Sequence, residues 1–416
     1  MIIPLTLMTA TTAFLKPDVT RLIKSETGYS LTVQGKPFFV KGAGGGAGLD
    51  LLVQAGGNSI RTWGAENLQR DLDEAQKRGI KVTAGIWLQH ADVFDYSDQA
   101  KVREQFEMAR KVVEQFKDHP ALLMWAFGNE MEGYAEANDP NVWRAVNDIA
   151  KMAKTIDPNH PTMTVIAEIG AARIPSINKF CPDIDIIGIN SYGGAASVAK
   201  RYAEIGGTKP YILTEFGPLG PWERPKTPWN APVEPTSTEK VEMYRTAYQN
   251  AVLGNPQKCL GAYVFLWGNK QEGTSTWFGM FLKDGNKTPA VDVMTEFWTG
   301  KKPANLSPTI TPITLAPAPE NYIYKTGQTI TASIKTTDPN NDNLKTTWVL
   351  TSETEVYLTA GRDEKVPLDY PDALVSSTTN QATFKLPAKA GNFRVFAYVY
   401  DGKGAAATAN IPLQTK

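Results

Sequence analysis

The feature that most constrains the fold is an alternation of strand-like and helix-like segments that runs from residue 37 to residue 300. Short runs rich in β-branched and aromatic residues alternate with amphipathic runs, and the pattern repeats eight times. The strand-like runs cover 38–44, 59–63, 81–88, 122–130, 162–168, 185–192, 211–217 and 261–267. They are mostly continuous apolar runs, as expected for a parallel sheet that is covered on both faces. Eight such units over about 260 residues predict an α/β fold, a closed (β/α)8 TIM barrel.

A doubly wound open sheet is the alternative fold, and it would place a glycine-rich phosphate loop directly after the first strand. Residues 42–48 match the GxGxxG pattern when Ala47 takes the place of the third glycine. The second strand, however, ends in Arg61-Thr62-Trp63 and not in the acidic residue that would bind a ribose. We therefore expect no dinucleotide and no other cofactor, and we expect the glycines to let the first loop pack closely.

The residues outside the repeat predict three further segments. Residues 1–20 begin with an uncharged apolar run that resembles part of a signal peptide, which predicts a periplasmic or secreted protein. An apolar arm packed on the barrel is the alternative interpretation. The barrel and a short preceding hairpin are expected over 25–300, and five prolines in 301–320 predict an extended linker. Short alternating strands separated by turn residues over 321–416 predict a C-terminal Ig-like β-sandwich.

Composition restricts the partners and the metal chemistry. Lys and Arg total 43, as do Asp and Glu, so the basic surface that nucleic acid or an anionic membrane requires is not expected. No apolar run reaches the about 18 residues of a membrane span. Two cysteines, Cys181 and Cys259, cannot build a disulfide framework, and whether they pair stays open. The three histidines are scattered, so no catalytic metal is expected.

Two glutamates end strands that lie on different sides of the predicted barrel. Catalytic residues of such barrels lie at the carboxyl ends of the strands, where Glu130 follows the fourth strand and Glu215 lies in the seventh. Cleavage of an acetal requires one carboxylic acid that protonates the leaving oxygen and a second carboxylate that attacks or stabilises the anomeric carbon. The pair therefore predicts glycoside chemistry.

The sequences around these glutamates carry a family resemblance. HPALLMWAFGNEMEG (119–133) and KPYILTEFGPLG (209–220) resemble the two glutamate motifs of the retaining (β/α)8 glycoside hydrolase clan, most closely the barrel of glycoside hydrolase family 2. The resemblance covers about 35–300, and it extends to GKPFFVKGAG and GNSIRTW at the first two strands. The chain is also similar to β-1,3-glucanosyltransferase-type barrels. The resemblance implies that Glu130 is the general acid/base and Glu215 the nucleophile.

Polar and aromatic residues at the other strand ends are predicted to bind substrate. Arg61 is expected to pair with Glu215, Tyr192 to donate a hydrogen bond to it, and Asn129 to contact the 2-hydroxyl of the sugar. An indole offers a flat surface to the apolar face of a sugar, which suits Trp267 as the floor of the subsite. The full set of predicted substrate-binding residues is Arg61, Trp63, Trp87, His90, Asn129, Asn190, Tyr192 and Trp267. Glu168 is expected at the rim of the site or behind the residues that contact substrate. Glu132 is the alternative to Glu130 as the acid/base if the loop after the fourth strand places the residues differently.

These observations predict a retaining β-glycoside hydrolase that acts on a neutral β-linked oligo- or polysaccharide, with a β-glucan favoured. A β-glucanosyltransferase would use the same glutamates, and a glycan-binding protein without activity is a further alternative. Sugar identity, endo or exo action and oligomeric state stay open. The C-terminal domain, which has the single tryptophan Trp348, is expected to be a spacer or packing module.

Overall fold

The computed structural model describes residues 18–354, 357 and 364–416, so the predicted apolar segment 1–20 lies outside the described residues except for its end. The described chain begins with an antiparallel sheet of β1 (Thr20–Ser25), β2 (Gly28–Val33) and β3 (Lys36–Phe38). Leu31 and Val33 of this sheet are buried in an apolar cluster with residues of the barrel strands. The sheet therefore packs against the barrel.

The prediction of a closed eight-stranded parallel barrel is confirmed. The barrel strands are β4 (Val40–Gly44), β5 (Ser59–Arg61), β6 (Lys81–Ile86), β7 (Leu122–Asn129), β8 (Thr162–Ala167), β9 (Ile186–Asn190), β10 (Tyr211–Phe216) and β11 (Cys259–Val264). Neighbours pair in chain order, and the ring closes because β11 pairs with β4. Nearly every residue of these strands is buried, since one face meets the barrel interior and the other meets the helices.

Helices cover the outside of the barrel. They are α1 (Leu49–Gln54), α2 (Leu68–Lys77), α3 (Gln99–Phe116), α4 (Pro140–Ile156), α5 (Arg173–Phe180), α6 (Val198–Glu204), α7 (Ser237–Ala247) and α8 (Pro289–Thr299). Their starts follow local chemistry: the side chain of Asp139 caps α4, and Thr236 and Glu239 form a capping box at α7. After α7, residues 248–253 continue as a π-helical segment within the predicted helix 238–253.

The C-terminal residues form mainly antiparallel sheets around a separate core, as expected for a β-sandwich, and the one parallel pair among the described strands of these sheets joins β14 to β21. The strands are β12 (Thr309–Ile310), β13 (Thr314–Ala316), β14 (Ile323–Tyr324), β15 (Thr329–Ser333), β16 (Thr336–Thr337), β17 (Lys345–Ser352), β18 (Leu374–Ser377), β19 (Gln381–Lys385), β20 (Gly391–Tyr400) and β21 (Ala406–Thr415). One sheet has the order β13-β15-β19-β18 and the other the order β14-β21-β20-β17. Buried residues of both sheets, including Phe384 and Val395, share one apolar cluster.

The predicted linker 301–320 contains two strands, so its prediction as an extended connection is wrong in part. β12 pairs with β16, and β13 pairs with β15 of the sandwich. Pro308, Pro312 and Pro317 flank these short strands. Because proline cannot donate to a strand ladder, it interrupts pairing without preventing an extended chain from joining a sheet edge. The sandwich therefore begins near residue 309.

Two further predictions concern the described residues. Cys181 and Cys259 are both buried and free, so they do not form a disulfide in this structure. Of the helices within the described ranges, none combines the length and the apolar character that a membrane span needs.

Candidate active site

Glu130 is placed by a strained turn at the carboxyl end of β7. Its φ of 54° lies in the left-handed region that residues other than glycine rarely adopt. Two residues earlier, Gly128 has a φ of 75°, and a Cβ on it would lie 2.3 Å from the sulfur of Met131. The Glu130 N–H donates to the carbonyl of Val165 at 2.9 Å. The strand thus ends sharply, and Glu130 lines the mouth of the barrel.

Glu215 lies at the mouth end of β10 and accepts hydrogen bonds on both carboxylate oxygens. Arg61 Nη1 and Trp63 Nε1 donate to Oε1 at 3.0 and 2.8 Å, and the Tyr192 hydroxyl donates to Oε2 at 2.9 Å. The Arg61 side chain is only 1% exposed. One charged donor and two neutral donors therefore contact the two carboxylate oxygens of Glu215, as the sequence predicts for Arg61 and Tyr192.

A hydrogen-bond network connects the two glutamates. Arg61 Nη2 donates to Asn129 Oδ1 at 2.5 Å. Asn190 Nδ2 donates to the same Asn129 oxygen at 3.1 Å and to Glu130 Oε1 at 2.7 Å. The network fixes the amide of Asn190, because its Oδ1 accepts the hydroxyl of Thr214 at 2.8 Å.

The surroundings of Glu130 favour its protonated form. Burial is the main cause, and the negative charge of Glu215 adds to it, so that the pKa of Glu130 rises to about 7. Hydrogen bonds from Asn190 and from the Tyr134 hydroxyl, at 2.7 and 3.0 Å, act in the opposite direction. Glu130 is thus the glutamate whose protonated form is favoured, whereas Glu215 accepts hydrogen bonds on both of its oxygens.

Both glutamates line a single cavity of about 660 Å³ at the carboxyl ends of the strands. The structure brings most of the predicted site residues together there. Those that line the cavity are Glu130, Glu215, Trp63, Trp87, Asn129, Asn190 and Tyr192.

Arg61 and His90 lie behind the cavity and do not line it, contrary to the prediction that they contact substrate. Arg61 contacts Glu215 from the barrel interior, since the side chains at the end of β5 are fully buried. The ring of His90 stacks on Trp87, with a centroid distance of 5.3 Å and an interplanar angle of 19°. His90 therefore supports an aromatic residue that lines the cavity.

The prediction that Trp267 forms the floor of the subsite is wrong. Its side chain is 1% exposed and packs in the core, with ring centroids 5.0 Å from Phe281 and 5.9 Å from Trp298. Phe265 and Leu266, directly after β11, line the cavity instead. The strand ends three residues earlier than the predicted run, so Trp267 lies in the following loop and turns towards α8.

Glu132 and Glu168 differ in their relation to the cavity. Glu132 is buried outside it and forms an ion pair with Arg173 at 2.7 Å, so it does not replace Glu130. Glu168 lines the cavity, with a φ of 64°, and its carboxylate accepts bonds from Ser191 at 2.5 Å and Arg201 at 3.0 Å. Glu168 is thus a rim residue with both oxygens in use.

Sequence reasoning missed several residues that complete the cavity. Most lie in the long loops after β10 and β11, where the pattern of apolar runs gives no signal. The main additions are Tyr134, Ser191, Trp222, Glu223, Phe265, Leu266, Lys270 and Glu272. Trp222 is 47% exposed, and its ring contacts Tyr192 edge-on at a centroid distance of 5.7 Å. The tryptophan in this long loop was the available sequence signal for this wall.

A group of acidic residues lies away from this cavity, in the sandwich. Carboxylate oxygens of Asp338, Asp342 and Asp401 lie within 4.8 Å of one another. The ammonium group of Lys403 pairs with Asp342 at 2.5 Å, so a cation of the chain itself already contacts the group.

Comparisons with known proteins agree with this architecture. Residues 67–220 match the model of the TIM barrel domain of glycosyl hydrolases family 2. The β-glucuronidase of Chlorocebus aethiops is 26% identical over 179 residues, which are 38% of this chain and 26% of that protein. A β-D-glucuronidase structure from Dictyoglomus thermophilum has a TM-score of 0.54 at 19% identity, covering 68% of this chain and 54% of that chain. A family 2 β-galacturonidase structure from Eisenbergiella tayi, bound to glycerol, has a TM-score of 0.53 at 17% identity, covering 70% of this chain and 55% of that chain.

The chain spans about a quarter of the length of the curated relatives it matches and about half of the solved structures. The match therefore concerns the barrel, and the solved structures support its fold. The closed ring of eight parallel strands is the fold that the matched model describes. Glu130 and Glu215, which line one cavity, both lie within the matched residues 67–220. Residues 67–220 of this TIM barrel therefore resemble the TIM barrel domain of glycosyl hydrolases family 2.

Proposed function

We propose that the protein is a retaining β-glycosidase in which Glu215 is the nucleophile and Glu130 the general acid/base. The observation that carries the proposal is that two carboxyl groups in one cavity have different surroundings. Arg61, Trp63 and Tyr192 donate hydrogen bonds to the carboxylate of Glu215, whereas burial raises the pKa of Glu130 to about 7. A glycosidase needs one carboxylate and one carboxylic acid, and such a division of roles between neighbouring acids is characteristic of these enzymes.

The proposed reaction has two displacement steps. Glu215 attacks the anomeric carbon while Glu130 transfers its proton to the glycosidic oxygen, so that the leaving alcohol departs and a glycosyl ester forms. In the second step Glu130 takes a proton from a water molecule, the water oxygen bonds to the anomeric carbon, and the ester bond to Glu215 breaks. Asn190, which donates to Glu130 at 2.7 Å, orients this carboxyl group in both steps.

The charge of the cavity supports a neutral sugar. Five glutamate side chains and one ammonium group line it, namely Glu130, Glu168, Glu215, Glu223, Glu272 and Lys270, and Glu130 is the glutamate whose protonated form is favoured. Three of these glutamates are already paired with a cation, since Arg61 pairs with Glu215, Arg201 with Glu168 and Lys270 with Glu272. A substrate carboxylate would have to displace one of these partners or lie beside like charges, which is costly in a partly buried site. The cavity does not single out a β-glucan among neutral β-glycosides.

A uronide is the second candidate substrate, and the relatives favour it. The matched proteins include a β-glucuronidase and a β-galacturonidase, whose substrates carry a carboxylate at carbon 6. Lys270 is the described cation in the cavity lining, and its ammonium group lies 2.9 Å from Glu272. A uronate would have to compete with Glu272 for this ammonium group.

A matched pair of substrates separates the two candidates. We expect kcat/KM for 4-nitrophenyl β-glucoside or β-galactoside to exceed that for the corresponding uronide by at least about tenfold, equivalent to about 1.4 kcal/mol. The opposite order would establish the uronide, and Lys270→Met would then lower kcat/KM for the uronide alone. NMR of the first-formed anomer tests the mechanism, because a retaining enzyme releases the β-sugar and a first-formed α-sugar would contradict the proposal.

The pH dependence of turnover tests the role of Glu130. Because the acid must carry its proton and the pKa of Glu130 is raised to about 7, kcat/KM should fall about tenfold per unit above about pH 7. The control is Glu130→Ala with a 2,4-dinitrophenyl glycoside, whose leaving group needs no acid. Its profile should be flat in that range, and a fall that persists in this variant would assign the titration to another group.

A further inference from the structure

Two long loops form the outer wall of the cavity, and both also contact the C-terminal sandwich. Loop 7 (residues 217–236) connects β10 to α7, and loop 8 (residues 265–288) connects β11 to α8. Loop 7 contributes Trp222 and Glu223 to the cavity, and loop 8 contributes Lys270 and Glu272 among others. The loops thus lie between the cavity and the sandwich.

A buried carboxylate joins the two loops to each other and to β21. Glu234 of loop 7 is 5% exposed and accepts the hydroxyls of Thr274 and Thr276 of loop 8 at 2.5 and 2.9 Å. The Lys240 ammonium group donates to it at 2.5 Å. The remaining donor comes from the sandwich, because Asn410 Nδ2 donates to Glu234 Oε2 at 2.5 Å.

A buried arginine of β20 fixes this arrangement from the sandwich side. Arg394 is 1% exposed and donates to the carbonyl of Pro232 in loop 7 at 2.9 Å. Its Nη1 donates to Asn410 Oδ1 at 2.6 Å, which orients that amide towards Glu234. Glu353 neutralises the guanidinium group, with an ion pair at 2.9 Å. Arg394 and Asn410 therefore act on loop 7 as one hydrogen-bonded unit.

Loop 8 has its own contacts with the sandwich, close to the residues that line the cavity. The N–H of Gly273, next to Glu272, donates to the Glu364 carboxylate at 2.8 Å. Further along, the Trp277 indole donates to the Leu219 carbonyl at 2.9 Å, which ties loop 8 back to loop 7. Contacts with the sandwich thus lie one to a few residues from the cavity lining.

We propose that Arg394 and Asn410 are positioning residues, through which the C-terminal sandwich holds the outer wall of the substrate cavity. The sandwich then contributes to substrate binding without touching substrate. Glu215 lies on β10 and Glu130 directly follows β7, whereas Trp222, Lys270 and Glu272 lie on the held loops. Loosening the wall should therefore weaken binding more than it slows chemistry. This statement about binding rests on the proposed glycosidase function.

The test uses two variants of the full chain and a matched control. Asn410→Ala removes the donor to Glu234, and Arg394→Met with Glu353→Leu removes the contact with Pro232 without leaving a buried unpaired charge. The control is Trp348→Phe, which removes a hydrogen bond inside the sandwich, from the indole to the Thr378 carbonyl at 3.1 Å. Hydrogen exchange of peptides from loops 7 and 8 is measured in the free protein, and KM and kcat are measured with aryl β-glycosides.

Exchange of the loop amides should accelerate about tenfold in both test variants, as expected when one or two buried hydrogen bonds are lost. KM should rise about fivefold to tenfold while kcat changes less than about twofold, and Trp348→Phe should lower the melting temperature without either effect. Unchanged loop exchange in both folded test variants would overturn the inference. A wild-type protein without glycosidase activity would refute the proposed function. Because hydrogen exchange requires no turnover, the exchange of loops 7 and 8 would still test whether Arg394 and Asn410 hold the loops.

Discussion

Replacement of Glu215 by alanine is expected to lower the turnover of aryl β-glycosides by at least about 10⁴-fold, equivalent to about 5.5 kcal/mol of activation free energy. The reason is that no other described carboxylate is held as Glu215 is, with Arg61 and two neutral donors on its two oxygens. Without it no covalent intermediate forms. The measurement is kcat with a 4-nitrophenyl glycoside that the wild-type protein cleaves.

Glu130→Ala should behave differently, because it removes an acid and not the nucleophile. With a 2,4-dinitrophenyl leaving group the first step proceeds without protonation, and added azide should accelerate the second step and yield the β-glycosyl azide. With Glu215→Ala, azide should yield the α-glycosyl azide, since it attacks the opposite face of the sugar. The matched control is Glu168→Gln, a rim carboxylate of the same cavity, for which we expect a loss of less than about tenfold. Equal losses in all three variants would contradict the assigned roles.

Replacement of Arg61 by methionine is expected to cause the second large effect, on stability and activity together. Glu215, which is 7% exposed, would lose the guanidinium group that lies 3.0 Å away. Breaking a buried ion pair from one side costs about 3–5 kcal/mol of the free energy of unfolding. Loss of the contact with Asn129 should also disturb the network to Glu130, and kcat/KM should fall about 10²-fold to 10³-fold.

The double variant Arg61→Met with Glu215→Gln is the control for this prediction. It carries no unpaired charge, so its free energy of unfolding, measured with urea, should recover most of the loss although it is inactive. Equal stability of the single and double variants would show that Arg61 acts through packing and not through the charge of Glu215. Arg61→Lys, which keeps the charge but not the planar fork, should be intermediate in activity.

The barrel and its central chemistry were accessible from the sequence because they depend on local patterns. Continuous apolar runs of strand length predict buried parallel strands, and a polar residue at the end of such a run must lie at the barrel mouth. This argument correctly placed Glu130 and Glu215 in one cavity, and it paired Arg61 with Glu215. Their catalytic roles stay predictions until the variants are measured.

Other parts of the site were not accessible, for reasons that are physical. Trp267 was misplaced because the apolar run continues past the last residue of β11, and a run that enters a buried loop looks like a longer strand. The contacts of Arg394 with Pro232 and of Asn410 with Glu234 join residues 162 and 176 positions apart. Such contacts depend on how two domains pack, and the hydrophobic periodicity within either domain does not predict them.

The contact of loop 7 with the sandwich bears on how the specificity of the cavity can be altered in the laboratory. In a ring of eight strands, β6 and β7 face β10 and β11, so the loops with Val93 and Tyr134 lie opposite loops 7 and 8. Val93 is 73% exposed and Tyr134 52% exposed. Substitutions at exposed positions usually change stability by less than about 0.5 kcal/mol, whereas changes in loop 7 also disturb a domain interface. Libraries that diversify only the exposed positions of 91–97 and 134–138, and so keep the buried Tyr96 and Ala137, should therefore retain more folded members than libraries of loop 7, and new substrate preferences should arise first on that side.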